Sequence, residues 1–259
     1  MSSVEEAFAV AEQRLRAALT DLRSGKRIGS YYPRVPLREA ILDELTADGE
    51  EIVVVTRNRY GAEVLNTDRL LIADIDLPEL EFATAGGLFG RLFGRRRAAE
   101  TDPAAEPPAV VKRLGRVMDW AVANPGFGVI VYRTASGLRV FVTGVPEPTT
   151  SADGQRILTE LGADPIYREL CRAHGTFRAR LTPKPWRLPR MKAPRGRWPY
   201  AGEDERRFQQ WLANYEAAAR EFAVCRRLAS HGPAPSILEL QILQLHDEGT
   251  RVSASLPLA

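Results

Sequence analysis

The sequence predicts an α+β fold on three observations: apolar, β-branched runs bounded by turn residues, stretches of helical spacing between them, and the order in which the two alternate. From residue 69 that order is strand (69–76), helix (109–123), strand (127–134), strand (138–143), helix (153–174) and strand (176–182). It is the βαββαβ order of a ferredoxin-like, or RRM-like, core. The reading divides the chain into an N-terminal helical extension over 1–49, the core over 50–190, and a C-terminal helical extension over 191–259.

Each element has its own local reason. Residues 4–24 carry apolar side chains at helical spacing, and a second short helix is expected over 37–47, after YYPRVP, with Pro36 near its start. EEIVVVTR (50–57) is β-branched and reads as a strand, NRYG (58–61) as a turn, and AEVLN and RLLIADID as further strands. Between residues 85 and 108 the composition shifts to Gly, Arg, Ala and Pro, with little that packs, which reads as a mobile insertion. Leu114, Val117 and Met118 then share one face of a helix that Asn124-Pro125-Gly126 closes. FGVIVYRT and LRVFVTG form a hairpin around ASG.

The stretch from Asp153 to His174 is helical and is interrupted at Pro165. TFRARLT alternates, with Phe177, Ala179 and Leu181 on one side and Arg178 and Arg180 on the other. The Pro- and Arg-rich piece that follows, to Tyr200, is irregular. A long helix is expected over 203–229, acidic at its start and basic at its end, as its dipole favours. The tail SILELQILQLHDEGTRVSASLPLA reads equally as a strand pair or a short helix.

With 44% hydrophobic and 27% charged residues, the composition is that of a soluble globular protein. No apolar run reaches the roughly 18 to 20 residues that span a bilayer, and the N-terminus reads as an amphipathic helix rather than a signal peptide. The expectation is a cytoplasmic protein with no membrane partner. Two cysteines without a CxxC and three histidines make neither a disulfide framework nor a thiolate zinc site. The net charge of +3 is small, but its distribution is not even: Arg178 to Arg197 holds eight Lys or Arg and no acid.

Three segments carry candidate chemistry. In RLLIADID, Asp74 and Asp76 lie two positions apart on a strand and so share a face. Two close carboxylates repel unless a cation lies between them, and a hard divalent ion, Mg²⁺ or Mn²⁺, suits oxygen ligands with room left for phosphates. The plainer reading is that these acids end the strand and pair with nearby arginines. In YRTASGLRVFVT, the turn exposes the Ser136 hydroxyl and backbone N–H groups between Arg133 and Arg139, which suits phosphate oxygens. Alternatively it is a hairpin with solvated arginines. In FRARLTPKPWRLPRMKAPRGRWPY, the cations Arg178, Arg180, Lys184 and Arg187 alternate with Trp186, Trp198 and Tyr200, a pattern that suits a phosphate backbone with base stacking. Asp164 is either a further metal ligand or the N-cap before Pro165.

Taken together, these segments over 50–190 resemble the archaeo-eukaryotic primase superfamily, which includes the primase-polymerases. Asp74-Ile75-Asp76 matches its DxD, Ser136-Gly137-Leu138-Arg139 its small-residue turn, with Arg139 where the family has histidine, and Asp164 its later acid. FRARLTPKPWR looks like the Arg-rich strand and turn that follows. The resemblance implies a metal-dependent nucleotidyltransferase acting on nucleoside triphosphates and single-stranded nucleic acid. In it, Asp74 and Asp76, assisted by Asp164, hold Mg²⁺ or Mn²⁺, while Ser136, Arg139 and Arg133 hold phosphates and the basic segment tracks the template. The alternative, from another class, is a non-catalytic RRM-like module that binds nucleic acid through Trp186, Trp198 and the basic segment.

Overall fold

The structure is a computed structural model that describes residues 39–77, 106–149, 151–196, 198 and 200–259. The helix expected over 4–24 and nearly all of the insertion expected over 85–108 lie outside the described residues. These form two four-stranded antiparallel sheets and five α-helices. No helix among them is long and apolar enough to cross a membrane.

The first sheet holds β1 (Ala40–Ala47), β2 (Glu50–Arg57), β3 (Glu63–Thr67) and β7 (Phe177–Arg180), in the order β1-β2-β3-β7. The short helix expected over 37–47 is therefore strand β1. It pairs with β2 across Asp48-Gly49, both at positive φ, so the tight Asp-Gly turn joins two strands and overrides the weak helical spacing. The turn after β2 is as expected: the Asn58 side chain accepts from the N–H groups of Tyr60 and Ala62.

The second sheet holds β4 (Leu71–Asp76), β5 (Gly128–Thr134), β6 (Gly137–Thr143) and β8 (Cys225–His231), in the order β4-β6-β5-β8. The expected β4, β5 and β6 are all present, with β6 between the other two. The last strand of the expected βαββαβ run, β7, pairs with β3 instead of β4. The free edge of β4 is met by a helix start: the Asp164 N–H donates to the Asp74 carbonyl at 3.0 Å and the Tyr167 hydroxyl donates to the Ile72 carbonyl at 2.9 Å.

Every residue of β6 is buried, as befits a central strand covered on both faces. One face packs against α1 (Pro108–Ala123), α2 (Ala152–Glu160) and α3 (Pro165–His174) through Val110, Val117, Ala121, Ile157 and Leu158. The other lies under α5 (Ile237–Thr250), whose His246 ring meets Tyr132 and Phe141 edge-on at 4.9 and 4.6 Å between centroids. The undecided tail is thus a helix, started by a capping box between Ser236 and Glu239.

The helix expected over 203–229 stops at Ala219: α4 is Glu203–Ala219, and CRRLASH becomes β8 on the open edge of β5. Backbone groups along that edge need partners, and β8 supplies them. A second apolar cluster joins α4 to the segment after β7, with Tyr200, Phe208, Trp211 and Tyr215 stacked in series at 4.5 to 5.8 Å. The Tyr215 hydroxyl donates to the Pro183 carbonyl at 2.6 Å, and the Thr182 hydroxyl accepts the Glu63 N–H at 2.8 Å. These bonds fix where residues 182–187 run.

Candidate functional site

The end of β4 is built for a close approach. Asp74 lies opposite Arg139 and Asp76 opposite Gly137. A Cβ on Gly137 would stand 2.0 Å from the Ile75 carbonyl oxygen, so only glycine lets β6 come this near. The Leu77 N–H donates to the Ser136 carbonyl at 2.9 Å, tying the β5–β6 turn to the strand end. Strand periodicity then places Asp74 and Asp76 on the face that also carries Arg139, Phe141 and Tyr132.

A narrow pocket opens at this end. Asp74, Asp76, Ser136 and Arg139 line it from the sheet, and Arg180, Lys184 and Arg187 from β7 and the segment behind it. Seven of the residues expected from sequence therefore meet, drawn from three segments far apart in the chain. Four cations, two side-chain carboxylates and Ala259, the last residue of the chain, share its wall. The enclosed space is about 20 Å³, about the room one water needs.

Below the pocket Arg139 is 1% exposed, with partners at both Nε and Nη1. Its Nε donates to Asp74 Oδ1 at 3.1 Å, and its Nη1 lies 3.0 Å from the Arg180 carbonyl, 3.2 Å from His246 Nε2 and 3.7 Å from Cys225 Sγ. His246 Nδ1 is 2.9 Å from Asp247 Oδ1. Because Arg139 can only donate, Nε2 accepts and the Nδ1 proton points at Asp247. The result is a chain Asp247–His246–Arg139–Asp74 whose two middle members are buried and whose end carboxylates reach solvent.

Burial alone would raise the Asp74 pKa; the Arg139, Arg180 and Lys184 cations outweigh it, and the carboxyl titrates below its ordinary range. Burial, helped by the Arg139 charge, holds His246 down at about 4, so it is neutral. Burial pushes the Cys225 thiol up to about 11, so it stays protonated.

Other expected site residues are placed elsewhere. Arg133 points to the opposite face of the sheet, where its Nε meets Glu106 at 3.2 Å and its Nη1 donates to the Gly137 carbonyl at 3.2 Å; it holds the hairpin, not a phosphate. Arg178 is bound bidentately by Glu39 at 2.9 and 2.7 Å, out of solvent. The Asp164 side chain accepts the Tyr167 N–H at 2.7 Å and caps α3, so it is the N-cap of the two readings. Arg139 itself is an internal counter-ion rather than a group presented to ligand.

Trp186 sits between Lys184 and Arg187 in a single 3₁₀ turn, Pro185–Arg187, 46% exposed, with Tyr60 edge-on at 5.3 Å and Lys184 Nζ 5.9 Å from its ring. Trp198 packs on Tyr200 at 5.4 Å, at the end of the α4 aromatic series.

No family model, no curated protein and no solved structure matches the chain. The site is therefore read from its own chemistry. Among the described residues no three His, Cys, Asp or Glu are grouped to hold a metal ion. Asp74 already shares an oxygen with Arg139, and Arg180, Lys184 and Arg187 on the same pocket wall repel a divalent ion while attracting an anion. The donor set fits a phosphate better than a bare metal.

Sequence reasoning missed Cys225, His246 and Asp247. One signal was present: Glu239, Ile242, Leu243, His246 and Thr250 are the buried positions of α5, three to four residues apart, so helical spacing puts His246 on the face that carries Ile242 and Leu243. That signal needed the helix assignment, which the tail sequence left open.

Proposed function

We propose that this protein binds single-stranded nucleic acid without transforming it, placing a backbone phosphate at the mouth of the Asp74–Arg139 pocket and a base on Trp186. One observation carries the reading: Arg180, Lys184 and Arg187 converge on one small pocket while Trp186, between the last two in the chain, is exposed to solvent. Cations fixed beside an accessible aromatic ring meet the two needs of a flexible strand, phosphate neutralisation and base stacking. The roughly 20 Å³ of enclosed space suits contact with one phosphate group more than burial of a whole nucleoside triphosphate.

A second reading, metal-dependent nucleotidyl transfer, is favoured by one observation: Asp74 and Asp76 share a face of β4 and both line the pocket, with Asp74 held ionised. A divalent ion there would arrive with a triphosphate whose charges offset the cations; it would supply Lewis-acid activation of the attacking hydroxyl and the leaving phosphate. Within that reading Asp74 and Asp76 hold the ion, and Arg180, Lys184 and Arg187 hold phosphate oxygens.

Asp76→Ala separates the two. Removing a carboxylate from an anion site leaves oligonucleotide binding unchanged or tighter, measured by fluorescence anisotropy with chelator present. The catalytic reading requires instead that wild type incorporate nucleotides on a single-stranded template with Mg²⁺ or Mn²⁺, and that Asp76→Ala abolish it. If wild type binds no oligonucleotide in low salt, the binding reading is wrong.

A further inference from the structure

From the pocket wall a cation, two aromatic rings and a second cation follow one another. Lys184, which lines the pocket, places its Nζ 5.9 Å from the Trp186 ring. Trp186 meets Tyr60 at 5.3 Å between centroids and 86° between planes, and the Arg59 guanidinium lies over the Tyr60 ring, 4.6 Å from its centroid. Arg59 and Tyr60 come from the turn between β2 and β3, far from Lys184 in the chain.

Surface turns are ordinarily among the more mobile parts of a fold, but this one is tied down. The Asn58 N–H donates to the Ala62 carbonyl and the Gly61 N–H to the Asn58 carbonyl, both at 2.9 Å. Arg57 Nη1 donates to the Gly61 carbonyl at 2.9 Å, and the Tyr200 hydroxyl to the Arg59 carbonyl at 3.2 Å. Gly61, at φ +81°, lies so near Trp211 that a Cβ there would stand 2.5 Å from its ring. The Arg59 side chain on this fixed turn is exposed. Its Nη2 donates to the Tyr60 hydroxyl, and its Nε and Nη1 have no partner among the described residues. Nor does a carboxylate neutralise it, as carboxylates do Arg69, Arg156, Arg172, Arg207 and Arg226. A guanidinium held over a ring, with charged donors left over, suits an oxyanion from outside.

We infer that Arg59 binds a second backbone phosphate, the neighbour of the one at the pocket, so that the ligand recognised is a strand with at least two phosphates rather than a mononucleotide. The inference rests on the single-strand reading of the pocket and extends it. One phosphate meets Lys184, the base lies on Trp186, and the neighbouring phosphate accepts from Arg59 Nε and Nη1. Tyr60 is a positioning residue, touching both the Trp186 ring and the Arg59 guanidinium. Lys184, Trp186, Tyr60 and Arg59 all lie on or beside two short bonded turns, Asn58–Gly61 and Pro185–Arg187, so binding has little ordering left to supply.

The test is fluorescence anisotropy of the full chain with labelled oligothymidine over a series of salt concentrations, with thymidine monophosphate and a thymidine dinucleotide carrying two phosphates as competitors. The dinucleotide is expected to compete more strongly than the monophosphate by about tenfold. Arg59→Ala weakens oligothymidine by about tenfold, flattens the salt slope by about 0.7, and brings the dinucleotide down to the level of the monophosphate. Arg59→Lys, which keeps the charge, keeps the slope. Arg116→Ala, at an exposed position of α1 on the opposite face of the second sheet, leaves both affinity and slope unchanged. If Lys184→Ala flattens the slope while Arg59→Ala matches wild type, the second contact is wrong and the pocket reading stands. If wild type binds no oligothymidine in low salt, both are overturned. A slope flattened as much by Arg116→Ala as by Arg59→Ala also overturns the inference, because net charge alone would then explain it.

Discussion

Two regions on one face of the second sheet handle polar groups in opposite ways. At the end of β4 a small pocket is crowded with charge, and its buried members are bonded: Arg139 alone meets Asp74, the Arg180 carbonyl, His246 and Cys225. Farther along β5 a cleft of about 960 Å³ has the Thr143 hydroxyl buried without a hydrogen-bond partner and the Tyr132 hydroxyl buried beside Asp247. Asp247 belongs to both, lining the cleft while its carboxylate orients His246. The pocket is a preorganised electrostatic device whose interior partners are internal; the cleft's buried hydroxyls are closed to solvent and join no such network.

The comparison breaks most severely at Asp74. Asp74→Ala strands Arg139 as a buried unpaired cation and lowers unfolding stability by about 3–5 kcal/mol, measured by urea denaturation. Adding Arg139→Leu recovers most of that loss. Asp74→Ala is therefore a stability variant and a poor probe of chemistry, which is why Asp76 carries the activity test.

The pocket's inner chain gives stability a defined pH dependence. His246 is neutral when folded, with its pKa down at about 4, and near 6.5 when unfolded. The unfolded chain binds the proton first, so this contribution is full above pH 6.5 and is lost as pH falls from 6.5 to 4, by about 3 kcal/mol in all. The depressed Asp74 carboxyl acts in the same direction at lower pH, its contribution being present above pH 3.8 and lost below it. Denaturation midpoints followed from pH 7 to pH 4 show the first slope in wild type, and His246→Gln flattens it. An unchanged slope in that variant would mean that His246 is not buried against Arg139.

Much of this site was legible because it lies on strands that pair as sequence spacing predicts. The alternation of LIADID and the small residues of ASG put Asp74, Asp76, Ser136 and Arg139 together, and the acid-free run supplied Arg180, Lys184 and Arg187. What failed was pairing between distant segments. Nothing near Phe177–Arg180 tells that β7 turns to β3, more than a hundred residues earlier, or that Arg178 finds Glu39. The same limit hid β8, whose CRRLASH looks like a basic helix end until an open strand edge stands beside it. At β1 the miss was local, since Asp48-Gly49 is itself a hairpin signal. Arg133 and Arg139 differ only in which face they occupy, and odd or even position, not residue type, decides their roles.

The smallest stability effect sharpens the cleft side of the comparison. Tyr132→Phe removes a buried hydroxyl that makes no well-formed hydrogen bond and changes stability by less than about 1 kcal/mol, read as a thermal midpoint close to that of wild type. The same change at Tyr215, whose hydroxyl is bonded to Pro183 and Thr182, lowers the midpoint.

The central claim, that the pocket's cations and Trp186 meet a nucleic-acid strand, is tested most directly by the salt dependence of binding to a fluorescent single-stranded oligonucleotide. In wild type the logarithm of the association constant falls linearly with the logarithm of salt concentration, and Lys184→Ala and Arg187→Ala each flatten that slope by about 0.7. Trp186→Ala weakens binding without changing the slope. Binding that ignores salt, or slopes identical in wild type and both variants, would contradict the account.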